Sequence, residues 1–182
     1  YIAAYGGLQY IQFNSDGSVF VDPIVCSAET RQALESHLLL LYTGMTRSAD
    51  PILAEQSQNL ANGRCRRTLR RLVQLAEELR HALTANDLEA FGEILHESWI
   101  VKKTMANGVS NGRIDEWYER ARAEGAVGGK ITGAGGGGFL LLYAPPESHQ
   151  RILSALPELR PVGFGLEPQG SKIIYVEESE RD

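Results

Sequence analysis

The sequence predicts an α+β fold in which helices pack on one face of a largely antiparallel sheet. Three observations lead there. A period-two hairpin pattern opens the chain, a long block of helical periodicity occupies its middle, and a glycine-dense run at 128–138 feeds an apolar strand, Phe139 to Tyr143. Strands and helices that segregate in blocks, rather than alternate, read as α+β rather than as a parallel α/β fold.

Leu8 to Phe13 alternates with a period of two, Asn14-Ser15-Asp16-Gly17 supplies turn chemistry, and Ser18 to Val21 alternates again. That is a β-hairpin. Ser27 is placed to cap a short helix over Glu29 to Ser36. His37 to Tyr42 is an apolar run closed by Thr43-Gly44, of a length that suits a strand buried on both faces. Pro51 then suits a first helical turn, with Ile52, Leu53, Gln56 and Leu60 on one side and Asn62-Gly63 as the stop. The i, i+3, i+4 rhythm continues through Leu69, Leu72, Val73, Ala76, Leu79 and Leu83, and resumes after Asn86-Asp87 with Leu88, Phe91, Ile94, Leu95, Trp99, Lys102 and Met105. Ile114, Trp117, Tyr118 and Ala121 mark another helix, which Gly125 ends. A helix over Glu147 to Leu156 and two short strands, Arg160 to Phe164 and Ser171 to Val176, complete the prediction.

Composition narrows the function classes. A net charge of −5 over 182 residues argues against a nucleic-acid footprint. The one basic cluster, Arg64 to Arg71, falls on a helix with Glu77 and Glu78 and reads as a solvated face. Cys26 and Cys65 have neither metal nor disulfide spacing, which suits a reducing compartment. No apolar run approaches the length of a membrane span and no signal-peptide pattern is visible, so the expectation is a soluble, cytoplasmic protein. Residue 1 is Tyr and the chain starts inside a patterned segment, as a fragment of a longer polypeptide would.

The glycine run is the most informative feature. Glycines offer φ > 0 and close approach of bare amides, and a neutral loop rich in N–H donors suits an anion, commonly phosphate. A glycine hinge or bulged β-corner is the structural alternative. Two familiar phosphate motifs fail. In G-x-x-x-x-G-K-[ST], Gly129-Lys130 is followed by Ile131, and Glu124 stands where the first glycine belongs. G-x-G-x-x-G matches Gly133, Gly135 and Gly138 in letters only, because here the run precedes a strand instead of opening a helix.

Lys130-Ile131-Thr132-Gly133-Ala134-Gly135-Gly136-Gly137-Gly138-Phe139 resembles the third signature motif of the GHMP kinases, the family of galactokinase, homoserine kinase, mevalonate kinase and phosphomevalonate kinase. Ala3 to Gly7, Leu40 to Gly44, Arg47-Ser48, His96 to Trp99, Lys102-Lys103, Gly108 to Asn111 and Ile114-Asp115 are similar to the branch acting on D-glycero-D-manno-heptose 7-phosphate. The resemblance implies a ferredoxin-like C-terminal kinase domain over residues 27–182, preceded at 1–26 by the last hairpin of an N-terminal domain. It also implies ATP and Mg²⁺ as cofactors of the complete enzyme, transfer of the γ-phosphoryl group to a sugar or sugar-phosphate substrate, and the chain's own N-terminal kinase domain as partner. The ATP loop of the family, P-x-x-x-G-L-x-S-S, is absent here. The catalytic Asp is expected upstream of Tyr1, so no catalytic residue is assigned in this chain and it is expected to be inactive alone.

Within that frame the backbone amides of Gly133, Ala134, Gly135, Gly136 and Gly137 line the triphosphate or brace the ATP loop, and Thr132 offers a hydroxyl beside them. Lys130 reads as a ligand of a substrate or nucleotide phosphate, or as a solvated lysine. Arg47 reads as the reader of the sugar phosphate, since guanidinium binds phosphate bidentately, or as a surface arginine. Ser48 reads as a helix cap, Trp99 as core, and one of Lys102 and Lys103 as facing the sugar phosphate if not merely suiting the helix dipole. His96 has no second ligand at i+4, and no metal site is expected. A non-catalytic ferredoxin-like ligand-binding or regulatory module is the alternative function.

Overall fold

A computed structural model describes residues 1–174. The elements along the chain are α1 (Ile2–Tyr5), β1 (Gln9–Phe13), β2 (Val19–Pro23), α2 (Ala28–His37), β3 (Leu38–Tyr42), α3 (Asp50–Ala61), α4 (Arg66–Thr84), α5 (Leu88–Lys103), α6 (Gly112–Ala123), β4 (Gly128–Ile131), β5 (Phe139–Tyr143), α7 (Pro146–Ala155) and β6 (Arg160–Pro161). They fall into two compact units, one holding Tyr1–Val25 with residues 165–174, the other Cys26–Phe164.

In the first unit β1 and β2 form the expected antiparallel hairpin, with Ile11 opposite Val21. Its turn is tied by Asp16, whose Oδ1 accepts from the Ser18 amide at 2.9 Å and the Ser18 hydroxyl at 2.6 Å. The strand anticipated at 171–176 does not form over its described part. Ser171 donates its N–H to the Ala3 and Ala4 carbonyls of α1, so it has no ladder partner to offer it to. Ile173 and Ile174 are 85% and 95% exposed and bury no face. Tyr175 and Val176 lie outside the described residues. Helix α1 was not anticipated; at four residues it is too short to carry a periodic signal.

The second unit contains a four-stranded sheet in the order β4-β5-β3-β6, with every neighbouring pair antiparallel. The connectivity is strand, helices, strand, strand, helix, strand, with the first and third strands adjacent at the centre. That is the ferredoxin-like split arrangement, with α3 to α6 inserted where the simplest version has one helix. Leu41, Leu140 and Ile131 are cross-strand neighbours, and all are fully buried. They meet Ile114, Trp117 and Tyr118 of α6 and Ile152 of α7 in one core cluster. Trp99 of α5 joins it at 1% exposure, as its position on the apolar stripe predicts.

Strand β3 corrects one expectation. Only Leu41 is buried, while Leu38, Leu39, Leu40 and Tyr42 are half-buried, so the strand is covered mainly on one face. Four consecutive leucines conceal the period-two alternation that an antiparallel sheet imposes. A second correction is β4, which lies inside the glycine run. Gly128 and Gly129 are fully buried strand residues there for reasons of space. A Cβ at Gly128 would collide with the Gly92 carbonyl of α5, and one at Gly129 would lie 2.5 Å from the Leu141 carbonyl oxygen. Part of the glycine run therefore serves helix-on-strand packing. The strand at 160–164 shortens to Arg160–Pro161, with one further bond beyond it, from the Val162 N–H to Leu40 O at 2.8 Å.

Local capping follows sequence chemistry. Ser27 accepts from the Thr30 amide, Asp87 from Ala90, and Asn111 from both Arg113 and Ile114. Ser48 accepts from the amide of Asp50, the first residue of α3.

Candidate functional site

The connection between β4 and β5 is built from Thr132 to Gly138. Thr132 extends the ladder one step, donating its N–H to Phe139 O at 2.9 Å. The chain then leaves the sheet and is braced from two sides. At the β3 end, Gly138 donates to Met45 O at 2.8 Å, and its carbonyl accepts from the Thr43 amide and the Thr43 hydroxyl. At the α5–α6 connection, Gly136 donates to Val109 O at 2.9 Å. Gly135 and Gly136 adopt φ of +107° and +78°, where a side chain is strained. They also touch their supports. A Cβ at Gly135 would stand 2.5 Å from Val109 O, and one at Gly136 would stand 2.9 Å from Gly108 O and 3.3 Å from Arg47 Cδ.

These braces use the N–H groups of Gly136 and Gly138. The amides of Gly133, Ala134, Gly135 and Gly137 have no backbone or side-chain acceptor among the described residues. Unpaired backbone donors persist where water or a ligand completes them. Of the five residues 133–137 expected to present amides, the structure thus leaves four with a free N–H and gives Gly136 to the scaffold.

Two concavities adjoin the loop. One of about 320 Å³ is lined by Tyr42, Met45, Arg47, Thr132, Gly135 and Phe139, among others. The other, about 410 Å³, lies between α3 and the 107–111 segment and is bounded by Arg47, Glu55, Asn107, Ser110 and Asn111. Both fall in the size range of small-molecule sites. Arg47 lines both. It is exposed, with no hydrogen bond or ion pair among the described residues, and its aliphatic stem lies beside Gly136. The residues lining the smaller cavity include no carboxylate and no imidazole.

At the opposite end of the loop stand two lysines. Lys130 leaves β4 two residues before Thr132, and Lys102 reaches in from the last turn of α5 to donate from Nζ to Gly133 O at 2.6 Å. Burial lowers the pKa of Lys130. Burial, and secondly the charge on Lys130, bring Lys102 down to about 8. Neither forms an ion pair among the described residues. Lys103 contrasts with them, because it is paired with Asp115 at 2.9 Å. Lys102 was the functional candidate easiest to overlook, yet its signal was present. It falls three residues after Trp99 on the apolar stripe of α5, where a solvated lysine is out of place.

His96 is accounted for by packing. Its Nδ1 lies 2.7 Å from Tyr118 Oη, the two rings stack, and burial lowers its pKa. The assembled loop offers a row of free N–H dipoles, a threonine hydroxyl and three cations without counter-charge. Among the described residues, that combination is chemically suited to an anion.

Residues 75–161 match the family described as GHMP kinases C terminal. The D-glycero-alpha-D-manno-heptose 7-phosphate kinase of Campylobacter jejuni is 30% identical over 156 residues, covering 86% of this chain and 46% of that protein. In fold, the chain resembles the D-glycero-D-manno-heptose 1-phosphate kinase of Bacteroides thetaiotaomicron (TM-score 0.64, 23% identity, 96% of this chain and 48% of that one). It also resembles the mevalonate kinase of L. major crystallised with R-mevalonate (TM-score 0.69, 20% identity, 86% of this chain and 48% of that one). The chain spans about half the length of each of these relatives.

Proposed function

Because this chain carries the C-terminal domain of the GHMP kinases, we propose that it is the C-terminal part of an ATP-dependent kinase acting on a sugar phosphate. In the finer form of the proposal the acceptor is heptose 7-phosphate, and its anomeric hydroxyl takes the γ-phosphoryl group of ATP. The observation that supports this most is the Thr132–Gly138 loop itself, with four free amides held open by braces at Val109, Met45 and Thr43.

Phosphoryl transfer is largely positioning plus charge stabilisation. Each part of the site takes a role in those terms. The amides of Gly133, Ala134, Gly135 and Gly137 and the hydroxyl of Thr132 receive phosphate oxygens. Gly136 keeps them in place through its bond to Val109. Arg47, between the two cavities, reads the acceptor's phosphate bidentately, and Lys130 neutralises charge at the far end of the loop. The smaller cavity is lined by no carboxylate or imidazole; in this proposal an N-terminal kinase half supplies the base and the ATP loop, and the chain is inactive without it. Among the described residues no three His, Cys, Asp or Glu side chains gather, and the Mg²⁺ that the kinase reading implies would be held largely by the substrate's phosphates. A cytoplasmic location belongs to the same proposal; no described helix is long and apolar enough to cross a membrane.

The test is coupled ADP release, measured with this chain joined to its N-terminal half, over a panel of sugars and sugar phosphates. ADP formation that depends on a heptose or hexose phosphate supports the proposal. Folded protein that binds ATP and turns over no acceptor overturns it, and favours a non-catalytic binding module.

A further inference from the structure

Lys102, at the end of α5, reaches the Gly133 carbonyl, and Lys130 stands on β4 three residues before Gly133, close enough for its charge to act on Lys102. Two features make the pair unusual. Neither ammonium has a carboxylate within ion-pair reach among the described residues, although Lys103, the immediate neighbour of Lys102, has Asp115. Both are also half-buried, on a scaffold that offers them only a backbone carbonyl. Like charges held together out of water are unfavourable on their own, and an anion between them removes the penalty. Arg47 lies against Gly136, on the other side of the Val109 brace.

We propose that Lys102 and Lys130 form a two-lysine site for a phosphoryl dianion at the Gly133 end of the loop, separate from the Arg47 end, so that the loop holds two anionic groups at once. Lys102 also ties that ligand to the loop, since the same ammonium donates to Gly133 O. A second anionic end is what a reaction between a nucleotide and a phosphorylated acceptor requires, and in this respect the inference rests on the kinase reading. The shared chemistry is a phosphate ester or anhydride; whether it arrives as the nucleotide's phosphates or as the acceptor's monoester is decided by the arms of the test.

Calorimetric titrations of the full chain with inorganic tripolyphosphate and with a hexose 6-phosphate, at low salt, distinguish them. For whichever ligand occupies the site, Lys102→Met and Lys130→Met each weaken binding about tenfold or more, the loss of one charge-assisted hydrogen bond. Lys102→Arg restores part of it, and Lys103→Met, whose ammonium is paired with Asp115 instead, leaves that same ligand within about twofold. The Lys102 ammonium, followed through its 13Cε resonance, titrates near 8 in the free chain and moves upward when that ligand binds. Lys130 on β4 is the charged neighbour that acts on it. Because Lys102→Met removes a half-buried charge, the variant melts no lower than wild type at pH 7, which separates lost binding from lost folding. Unchanged affinity for both ligands in Lys102→Met overturns the proposal, as does Lys103→Met weakening the same ligand equally. Absence of binding by wild type overturns it too, while the kinase reading is then decided separately by acceptor-dependent ADP release.

Discussion

Replacing Gly135 by valine tests the geometry of the loop at its tightest point. Position 135 has φ +107°, beyond the left-handed region that an L-residue tolerates, and holding a side chain there costs about 1–3 kcal/mol. Sterics add to this. A Cβ would stand 2.5 Å from Val109 O and 2.8 Å from Val109 Cα, both backbone atoms, so the loop and the 108–109 segment must separate by roughly an ångström to reach ordinary contact. That movement strains or breaks the adjacent bond from Gly136 N–H to Val109 O. A displacement of about 1 Å in a positioning site costs on the order of a hundredfold in rate. The strain is only a fraction of the ~5–15 kcal/mol of a domain's stability. In ADP-release assays with the N-terminal half present, Gly135→Val is therefore expected to lose about a hundredfold or more in turnover, with helical circular dichroism retained and a melting point lowered by a few degrees. Gly44→Ala is the control. It has φ +69° but no atom within 4 Å of its Cβ, so it carries backbone strain of about 1–2 kcal/mol without displacing the loop, and its turnover stays near wild type. Wild-type rates in Gly135→Val, or equal losses in both variants, refute the reasoning.

Arg47→Met keeps the stem that packs on Gly136 and removes the guanidinium; the expected result in steady-state kinetics is a KM for the sugar phosphate raised about tenfold or more, with little change in the KM for ATP. Gly128→Ala drives a methyl into the Gly92 carbonyl and the His96 amide, and urea unfolding should show it destabilised by about 1–3 kcal/mol or more although it lies outside the loop. The lowered pKa of Lys102 has a definite sign. Between about 8 and the ordinary lysine value of 10.5 the unfolded chain binds more protons at this residue than the folded one, so its contribution to stability rises with pH across that window. Any stability advantage of Lys102→Met over wild type is thus largest below pH 8 and shrinks by pH 10; an advantage that grows with pH contradicts the assigned burial.

Which parts of this molecule were legible in its sequence follows from how local each determinant is. The hairpin turn at Asn14–Gly17, the cap Ser27, and the buried face of α5 marked by Trp99 depend on neighbours a few residues away, and each is where the pattern put it. Strand β4 was hidden because Gly128 and Gly129 look like loop residues, and what makes them strand residues is the approach of Gly92 and Leu141 from distant segments. The four leucines at 38–41 carry no contrast between faces, so only the ladder with β5 reveals which points inward. In the site, glycine density pointed to the loop, but composition could not tell that Gly136 donates to Val109 while Gly135 and Gly137 do not, because that depends on a carbonyl some 27 residues earlier in the chain. Lys102 and Lys103 are equivalent as letters. Helical phase separates them, sending one towards Gly133 and the other to Asp115.

The most direct measurement of whether the Thr132–Gly138 loop is a phosphate cradle is an amide nitrogen–proton NMR titration of the chain with inorganic tripolyphosphate. The account predicts saturable downfield shifts at Gly133, Ala134, Gly135 and Gly137, whose N–H groups have no acceptor among the described residues, and much smaller shifts at Gly136 and Gly138, already bonded to Val109 and Met45. Shifts elsewhere with these four amides unmoved, or a response equally large at Gly136 and Gly138, would contradict it.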